Sequence, residues 1–197
     1  MARETPLGED GRRRCFGNGP GKRFYADYHD REWGVPVRDD RRLFEALLLE
    51  TAQAGLSWET VLRKREGYRA LFEGFDPERV ARMDDAALEA ALADPRIVRH
   101  RAKVFAARAN ARAFLELAAS HAGGFAGWLW DHVDGVPVVN AWATLDEVPA
   151  RTPLGDALSR RLKAAGMAFV GPTTAYAWIQ GVGLVDDHVA DCWVRAG

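Results

Sequence analysis

The sequence predicts an all-α domain, and three observations carry that reading. Apolar residues recur at three- and four-residue intervals through most of the chain. The patterned segments begin at capping side chains and end at glycines, and no alternating strand of useful length interrupts them. A length of 197 residues is one ordinary domain, or one domain divided into two lobes around a cleft.

The elements follow in chain order. Residues 1–13 are polar and rich in glycine and arginine, and read as a flexible tail ahead of a single domain over 14–197. Gly17-Asn18-Gly19-Pro20-Gly21 is a loop. Asp39 and Asp40 cap a helix that runs to about Ala54 and closes at Gly55. Ser57 caps a second helix through Arg65, and Asp76-Pro77 opens a third, with proline at its tolerated first position. Asp84–Leu92 and Arg99–Ala118 continue the pattern, the latter with Val104, Ala107, Ala111, Phe114 and Leu115 as its apolar residues. Thr152-Pro153 opens a helix that keeps Leu154, Leu158 and Leu162 on one face and stops at Gly166. After a tight connection another helix starts around Pro172. Val136–Val139 is short and contains a proline, so it is not read as a strand.

Composition excludes several classes. Hydrophobic residues at 48% and charged residues at 28% are those of a globular protein. No apolar run approaches the ~18 residues of a membrane span, and Met1–Thr5 lacks the apolar core of a signal peptide. Two distant cysteines, Cys15 and Cys192, do not make a disulfide scaffold. The expectation is a cytoplasmic protein with no membrane association. The net charge of −1 advertises no polyanion partner, yet of 27 basic residues only four are lysine. Arginine is the better fork for phosphate. The stretch between Asp94 and Glu116 has no acid and carries Arg96, Arg99, Arg101, Lys103, Arg108 and Arg112. It reads first as a solvated helix face, with a local phosphate-facing patch as the alternative.

Four constellations can carry chemistry. On the helix after Asp40, Leu43, Phe44 and Leu47 define the inward face, and Arg41, Arg42 and Glu45 lie opposite. Glu50 falls on the apolar stripe, where a carboxylate must find a partner, shift its pKa or face a cavity. Trp58 follows within one tight turn, so an acid, an indole and small residues meet as a pocket for a planar, hydrogen-bonding ligand would require. The second constellation is Tyr25, Tyr28, His29, Asp30, Glu32 and Trp33, dense in aromatic and ionisable groups. The third is Cys15, His29, His188 and Cys192, enough donors for a tetrahedral zinc site. His188 and Cys192 stack on one face if Asp186–Cys192 is helical; a Cys15–Cys192 disulfide or two unrelated thiols are the alternatives. The fourth is the turn between the last two helices. Gly171 permits close backbone approach there, and the amides and hydroxyls of Thr173 and Thr174 can face an anion. An ordinary helix–helix turn is the alternative.

Taken in order, these blocks resemble the DNA-3-methyladenine glycosylase I family. The matching runs are Arg14-Cys15, Tyr28 through Pro36, Leu49-Glu50 with Gln53 through Trp58, Leu62 through Glu66, Phe75-Asp76-Pro77, Arg99-His100-Arg101, Phe169-Val170-Gly171, and Gly183 through His188 with Cys192. The resemblance covers nearly all of residues 14–193. It implies a two-lobed helix-hairpin-helix DNA glycosylase fold, with one structural Zn2+ on Cys15, His29, His188 and Cys192 joining the N- and C-terminal segments. It implies that Glu50 and Tyr28 contact an extruded base, that Trp58 stacks on it, that Trp33 lines the same pocket, and that Phe169, Gly171, Thr173 and Thr174 meet the nucleic acid. The implied activity is hydrolytic release of 3-methyladenine from alkylated double-stranded DNA by a monomer, without a lyase step. Thr51, where glycine is common, and Phe16 with the loop after it depart from the family pattern at the rim of the pocket. Val185-Asp186-Asp187-His188 is similar to a Val-Asp-x-His run that carries a catalytic aspartate elsewhere in the superfamily; here Asp186 is read as a helix cap. The competing functions are a related glycosylase with another lesion range, a non-catalytic damage-binding protein and a zinc hydrolase.

Overall fold

The computed structural model describes residues 5–196. The first four residues of the expected tail, most of the segment tested for a signal peptide, lie outside them. The described chain is mostly helical: α1 (Arg23–Arg31), α2 (Asp40–Gln53), α3 (Trp58–Leu62), α4 (Arg65–Leu71), α5 (Pro77–Ala81), α6 (Asp85–Ala93), α7 (Arg101–Ala119), α8 (Gly124–Trp130), α9 (Pro153–Ala164), α10 (Pro172–Gly181) and α11 (Trp193–Ala196). Among the described residues no helix is long and apolar enough to cross a membrane.

The starts of these helices are written locally. Asp39 accepts from the Arg42 amide, Ser57 from Thr60, Asp76 from Glu78 and Arg79, Asp84 from Ala87, and Thr152 from Gly155. Each cap satisfies a first-turn donor that the helix leaves open. The helix expected from Ser57 through Arg65 is instead two, because the chain turns at Arg63-Lys64 between α3 and α4. Three further helices escape the apolar pattern, α1, α8 and the short α11. α1 has no side-chain cap. α8 opens on Gly124 in the left-handed region and is capped from afar, with the Phe125 and Ala126 amides donating to Asp40 at 3.1 and 2.7 Å.

α2 is the central element, in contact with α3, α7, α8 and α10. Leu43, Phe44 and Leu47 bury their side chains completely or nearly so, together with Phe114 of α7, Phe125 of α8, Leu162 of α9 and Trp178 of α10. Phe114 and Phe125 stack with ring centroids 3.8 Å apart. Removing any of these large side chains would cost about 3–5 kcal/mol. α9 and α10 pack on each other as a hairpin of two helices joined by Ala165–Gly171.

The chain is not purely helical. Val138-Val139, too short to be read as a strand, pairs in parallel with Val185-Asp186. The pairing extends through the Val138 amide to the Leu184 carbonyl and the Asn140 amide to the Asp186 carbonyl. Residues 187–192 after this strand are irregular, so His188 and Cys192 do not share a helix face and Asp186 caps no helix. The described part of the N-terminal stretch lies along the C-terminal segment. The Thr5 hydroxyl donates to Asp191 at 2.5 Å, the Trp193 amide donates to the Arg13 carbonyl, and buried Arg14 is held by Asp10 and Asp30 at 2.6 and 2.8 Å.

Most of the basic run is partnered within the fold, while Arg96 and Arg101 stay more than half exposed as on a solvated face. Arg96 is paired with Asp94, Arg101 with Glu89, and Arg108 with Asp85. Arg112 donates to the Ala81 carbonyl, and the Lys103 ammonium caps the end of α2 through the Ala52 and Ala54 carbonyls at 2.8 and 2.6 Å.

Candidate functional site

Two adjacent residues of α1 face two different sites. One turn step of about 100° separates Tyr28 from His29, so the same buried helix face cannot hold both. Tyr28 points into a narrow cleft of about 40 Å³ lined by α2, α3, α4 and the end of α10. His29 points to the cysteines.

The cleft is built around Glu50. Its carboxyl is 5% exposed, its Oε2 has no hydrogen-bond partner, and burial pushes its pKa from the ordinary 4.5 up to about 8. Trp58, at the first turn of α3, stands across from it with its buried Nε1 also unpartnered. Tyr28 and Trp58 lie 5.5 Å apart between ring centroids, tilted by 49°. The Tyr28 hydroxyl is pushed well above its usual pKa by burial and by Glu50. An unpartnered carboxyl oxygen and an unpartnered indole N–H in one cleft are expensive to bury unless a ligand completes them. Such a cleft takes a flat molecule with donors and acceptors on its edge.

Of the residues singled out in the sequence, Glu50, Tyr28 and Trp58 come together here. Trp33 does not line the cleft. It packs against Phe16, His29 and His188 at 5.1, 5.9 and 4.6 Å between centroids, and Phe16 in turn reaches Tyr28. Thr51 turns away as well, its hydroxyl donating to the Leu48 carbonyl.

The second site gathers both ends of the chain. The ligand atoms of Cys15, His29 and Cys192 lie within 4.8 Å of one another, and the thiols are free rather than disulfide-bonded. Such a cluster can hold a metal ion. The Cys15 amide donates to His29 Nε2 at 3.2 Å, so the ring proton sits on Nδ1 and donates to Asp30 at 2.9 Å. His188, the fourth expected ligand, is not part of this three-residue cluster but has a similar Nδ1 partner. Its Nδ1 is 2.7 Å from Asp186, and its Nε2 is buried without a partner. The two rings approach edge to face at 5.0 Å. Aspartates that orient imidazoles by Nδ1 while leaving Nε2 as the donor are the usual outer partners of histidine metal ligands. Asp186 therefore orients His188. The hydrogen bond of the His188 ring, opposed by burial, holds the Asp186 carboxyl below its usual value. Between the cysteines, the hydrogen bond with Cys15 and the one with His29 pull Cys192 down, while the bond to Cys192 and burial push Cys15 up.

The third site is the hairpin turn. Asn110 of α7, buried, clamps it from behind: its amide donates to the Ala168 carbonyl at 3.1 Å and accepts from the Ala168 amide at 2.8 Å. Ser159 donates to the Val170 carbonyl at 2.7 Å. Phe169 adopts a positive φ of 59°, Gly171 stands at the start of α10 with open space where a side chain would be, and Thr173 is exposed. Thr174 is half-buried beside it.

The chain as a whole has relatives among known proteins. The methyladenine glycosylase profile matches residues 19–196. The chain belongs to the methyladenine glycosylase family. It is 48% identical to DNA-3-methyladenine glycosylase 1 of Escherichia coli K12 over 88% of this chain and 92% of that one. It is 46% identical to DNA-3-methyladenine glycosylase of Haemophilus influenzae over 85% of this chain and 90% of that one. Its fold superposes on a crystal structure of 3-methyladenine DNA glycosylase I with a TM-score of 0.86 at 46% identity, covering 92% of this chain and 98% of that one. For the Staphylococcus aureus enzyme, solved to explain 3-methyladenine recognition, the TM-score is 0.87 at 35% identity, covering 91% and 95% of the two chains.

In this member of the methyladenine glycosylases the cleft wall contains residues that sequence reading placed elsewhere. Glu45, expected on the outer face of α2, is 7% exposed and held by Arg65 and Arg69. Arg65 also binds Glu32 at 2.8 Å. Periodicity could not find this group, because the guanidinium that makes an inward Glu45 tolerable lies 20 residues along the chain. Asp187, buried next to His188 in the chain, accepts from Asn140, Trp142, Tyr176 and Gln180 and so ties the loop after β1 (Val138–Val139) to α10.

Proposed function

We propose that this chain is a monofunctional DNA-3-methyladenine glycosylase that flips the damaged nucleotide from double-stranded DNA and hydrolyses its glycosidic bond. The observation that carries this reading is Glu50, a buried carboxyl with a partnerless oxygen that lines one cleft with Tyr28 and Trp58. Its support from relatives is direct in kind: two curated relatives are named for this activity, and one solved structure at 35% identity is a complex with 3-methyladenine.

The chemistry asks little acid catalysis of the protein. Methylation at N3 gives the adenine a positive charge, which weakens its pairing and its bond to the sugar. Extrusion then costs a few kcal/mol, less than for an intact pair. In the empty cleft Glu50, with a pKa of about 8, holds its proton at neutral pH. A cationic base beside it favours the carboxylate, so base capture and proton loss from Glu50 are coupled. The carboxylate accepts from the exocyclic amine, and Tyr28 and Trp58 contribute cation–π attraction of about 1–2 kcal/mol each. The C1′–N9 bond breaks with its electron pair going to the base, which leaves neutral. Water adds to C1′ and gives up a proton, leaving an abasic site. Trp33 backs the pocket through Phe16 and Tyr28.

A lyase step would need an amine at the cleft. Of the four lysines, Lys22 pairs with Glu59, Lys64 and Lys103 donate to carbonyls, and none lines the cleft among the described residues. The hairpin of α9 and α10 serves as the helix-hairpin-helix element, with the backbone around Phe169 and Gly171 and the Thr173 and Thr174 groups against a DNA phosphate. The two sulfurs of Cys15 and Cys192 and the Nε2 atoms of His29 and His188 are the donor set of a structural Zn2+. The buried, partnerless Nε2 of His188 fits that role. Bound there, the ion joins the two chain ends and has no part in the reaction. The enzyme acts as a monomer.

The test is chromatographic identification of bases released from methylated DNA by the purified protein and by Glu50→Gln. Release of 3-methyladenine, greatly reduced in a folded, zinc-loaded variant, supports the reading. Equal release removes Glu50 from the centre of the mechanism. DNA binding without any release by the unaltered protein overturns the enzyme reading in favour of damage binding.

A further inference from the structure

The three side chains that form the cleft come from three separate segments, and one guanidinium bonds to two of them while its own helix directly follows the third. Tyr28 lies on α1, whose last turn closes with the Glu32 amide donating to the Tyr28 carbonyl at 2.9 Å. Glu50 lies on α2, five residues after Glu45. Trp58 opens α3, which passes to Arg65 through a tight link in which the Arg63 amide bonds to Glu59 and the Lys64 amide to Val61. Arg65, the first residue of α4, donates through Nε to Glu45 and through Nη1 to both oxygens of Glu32 at 3.0 and 2.8 Å. Arg65, Glu45 and Glu32 all line the cleft. The Arg65 side chain is 25% exposed, that of Glu45 9% and that of Glu32 35%, so the arm to Glu45 is shielded from bulk screening and the arm to Glu32 lies nearer the surface.

Building on the glycosylase reading, we infer that Arg65 is a positioning residue for the base cleft, a single fork that fixes the spacing between Tyr28, Glu50 and Trp58. Three features support it. The planar guanidinium satisfies two carboxylates at once, one just past α1 and one on α2, which a point charge on a flexible stem cannot do in a fixed geometry. Neither α3 nor α4 exceeds seven residues, so neither is stable by itself, and the fork supplies an anchor that propensity does not. Glu45 has a second cation, Arg69 at 2.9 Å, so the local fold survives loss of Arg65 while the tie to α1 is cut.

The test compares the unaltered protein with Arg65→Met and Arg65→Lys. The first readout needs no activity: amide hydrogen exchange by mass spectrometry. Arg65→Met should lose protection in the peptides covering residues 24–33, 45–53 and 57–63 by at least tenfold, with α7, α9 and α10 unchanged. The second readout is function. In folded Arg65→Met, affinity for free 3-methyladenine should fall at least tenfold and kcat for its excision should fall with it. Arg65→Lys should restore only a minor part of either. Unchanged exchange in the three segments, or equal loosening throughout the chain, overturns the inference. So does base affinity within twofold of the unaltered protein, or full rescue by lysine. If the unaltered protein neither binds nor releases 3-methyladenine, the glycosylase reading fails, and the exchange pattern still decides whether Arg65 sets the geometry of the cleft.

Discussion

Glu50→Gln replaces a buried carboxyl by an amide of the same shape, and the structure gives the change a signature in stability as well as in activity. Burial raises the carboxyl from 4.5 to about 8. Between these values the folded chain keeps a proton that the unfolded chain has released. Stability therefore falls as pH rises, because the native state binds more protons than the unfolded one. The slope approaches 1.36 kcal/mol per pH unit. Over pH 5 to 7 this one group removes about 2.5 kcal/mol, and over the whole span about 5 kcal/mol. Glutamine does not titrate, so the difference between the two proteins isolates Glu50 from every other group. The assay is urea unfolding followed by circular dichroism at pH 5, 6, 7 and 8. With an m-value of about 2 kcal/mol per molar, the midpoint of the unaltered protein should drop by about 1.2 M relative to the variant from pH 5 to pH 7. Parallel profiles, agreeing within about 0.5 kcal/mol, would mean that Glu50 is hydrated and ionised throughout. The coupling of base capture to proton loss would then have no basis.

Three further outcomes are expected. Gly183→Ala should destabilise the fold by more than about 2 kcal/mol in thermal or urea unfolding, because Gly183 has a φ of +68° and its new Cβ would meet the Val35 carbonyl carbon at 2.3 Å and Pro36 N at 2.4 Å. A loss under 0.5 kcal/mol would show that the strand β2 (Val185–Asp186) does not depend on that close approach. The purified chain should carry one zinc by elemental analysis, and chelation or Cys192→Ser should lower the unfolding temperature by about 6–12 °C, equivalent to about 3 kcal/mol for a chain this long; metal-free protein of equal stability would contradict the clasp. Asn110→Ala removes both bonds to Ala168. It should weaken binding to methylated duplex at least fivefold while leaving affinity for free 3-methyladenine unchanged, as fluorescence titration would reveal; equal effects on both ligands would place Asn110 in general packing and not in setting the hairpin.

What was legible in the sequence follows from the range over which each interaction acts. Caps act within three residues, so Asp39, Ser57, Asp76, Asp84 and Thr152 could be read directly, and each accepts the amide that its position requires. The start of α8 could not, since the carboxylate that caps it belongs to Asp40, 85 residues away from Phe125. His188 and Cys192 were legible as donors but not as geometry. Their placement depends on the pairing of β2 with β1 and on the irregular turn after it, neither of which leaves a periodic trace. The cleft divides along the same line. Glu50 stands out because a carboxyl on an apolar stripe breaks the pattern, and the desolvation that makes it conspicuous is also what raises its pKa. Glu45 fits the pattern, on the side opposite the apolar stripe, and so its burial escaped notice. The rule that puts charge outside is suspended wherever a distant cation reaches in, and Arg65 does so from another helix. An acid that stays unpaired in the core marks a place for a ligand, whereas one that is paired marks a joint between segments. Sequence shows that both acids sit on α2, and only the fold shows which is which.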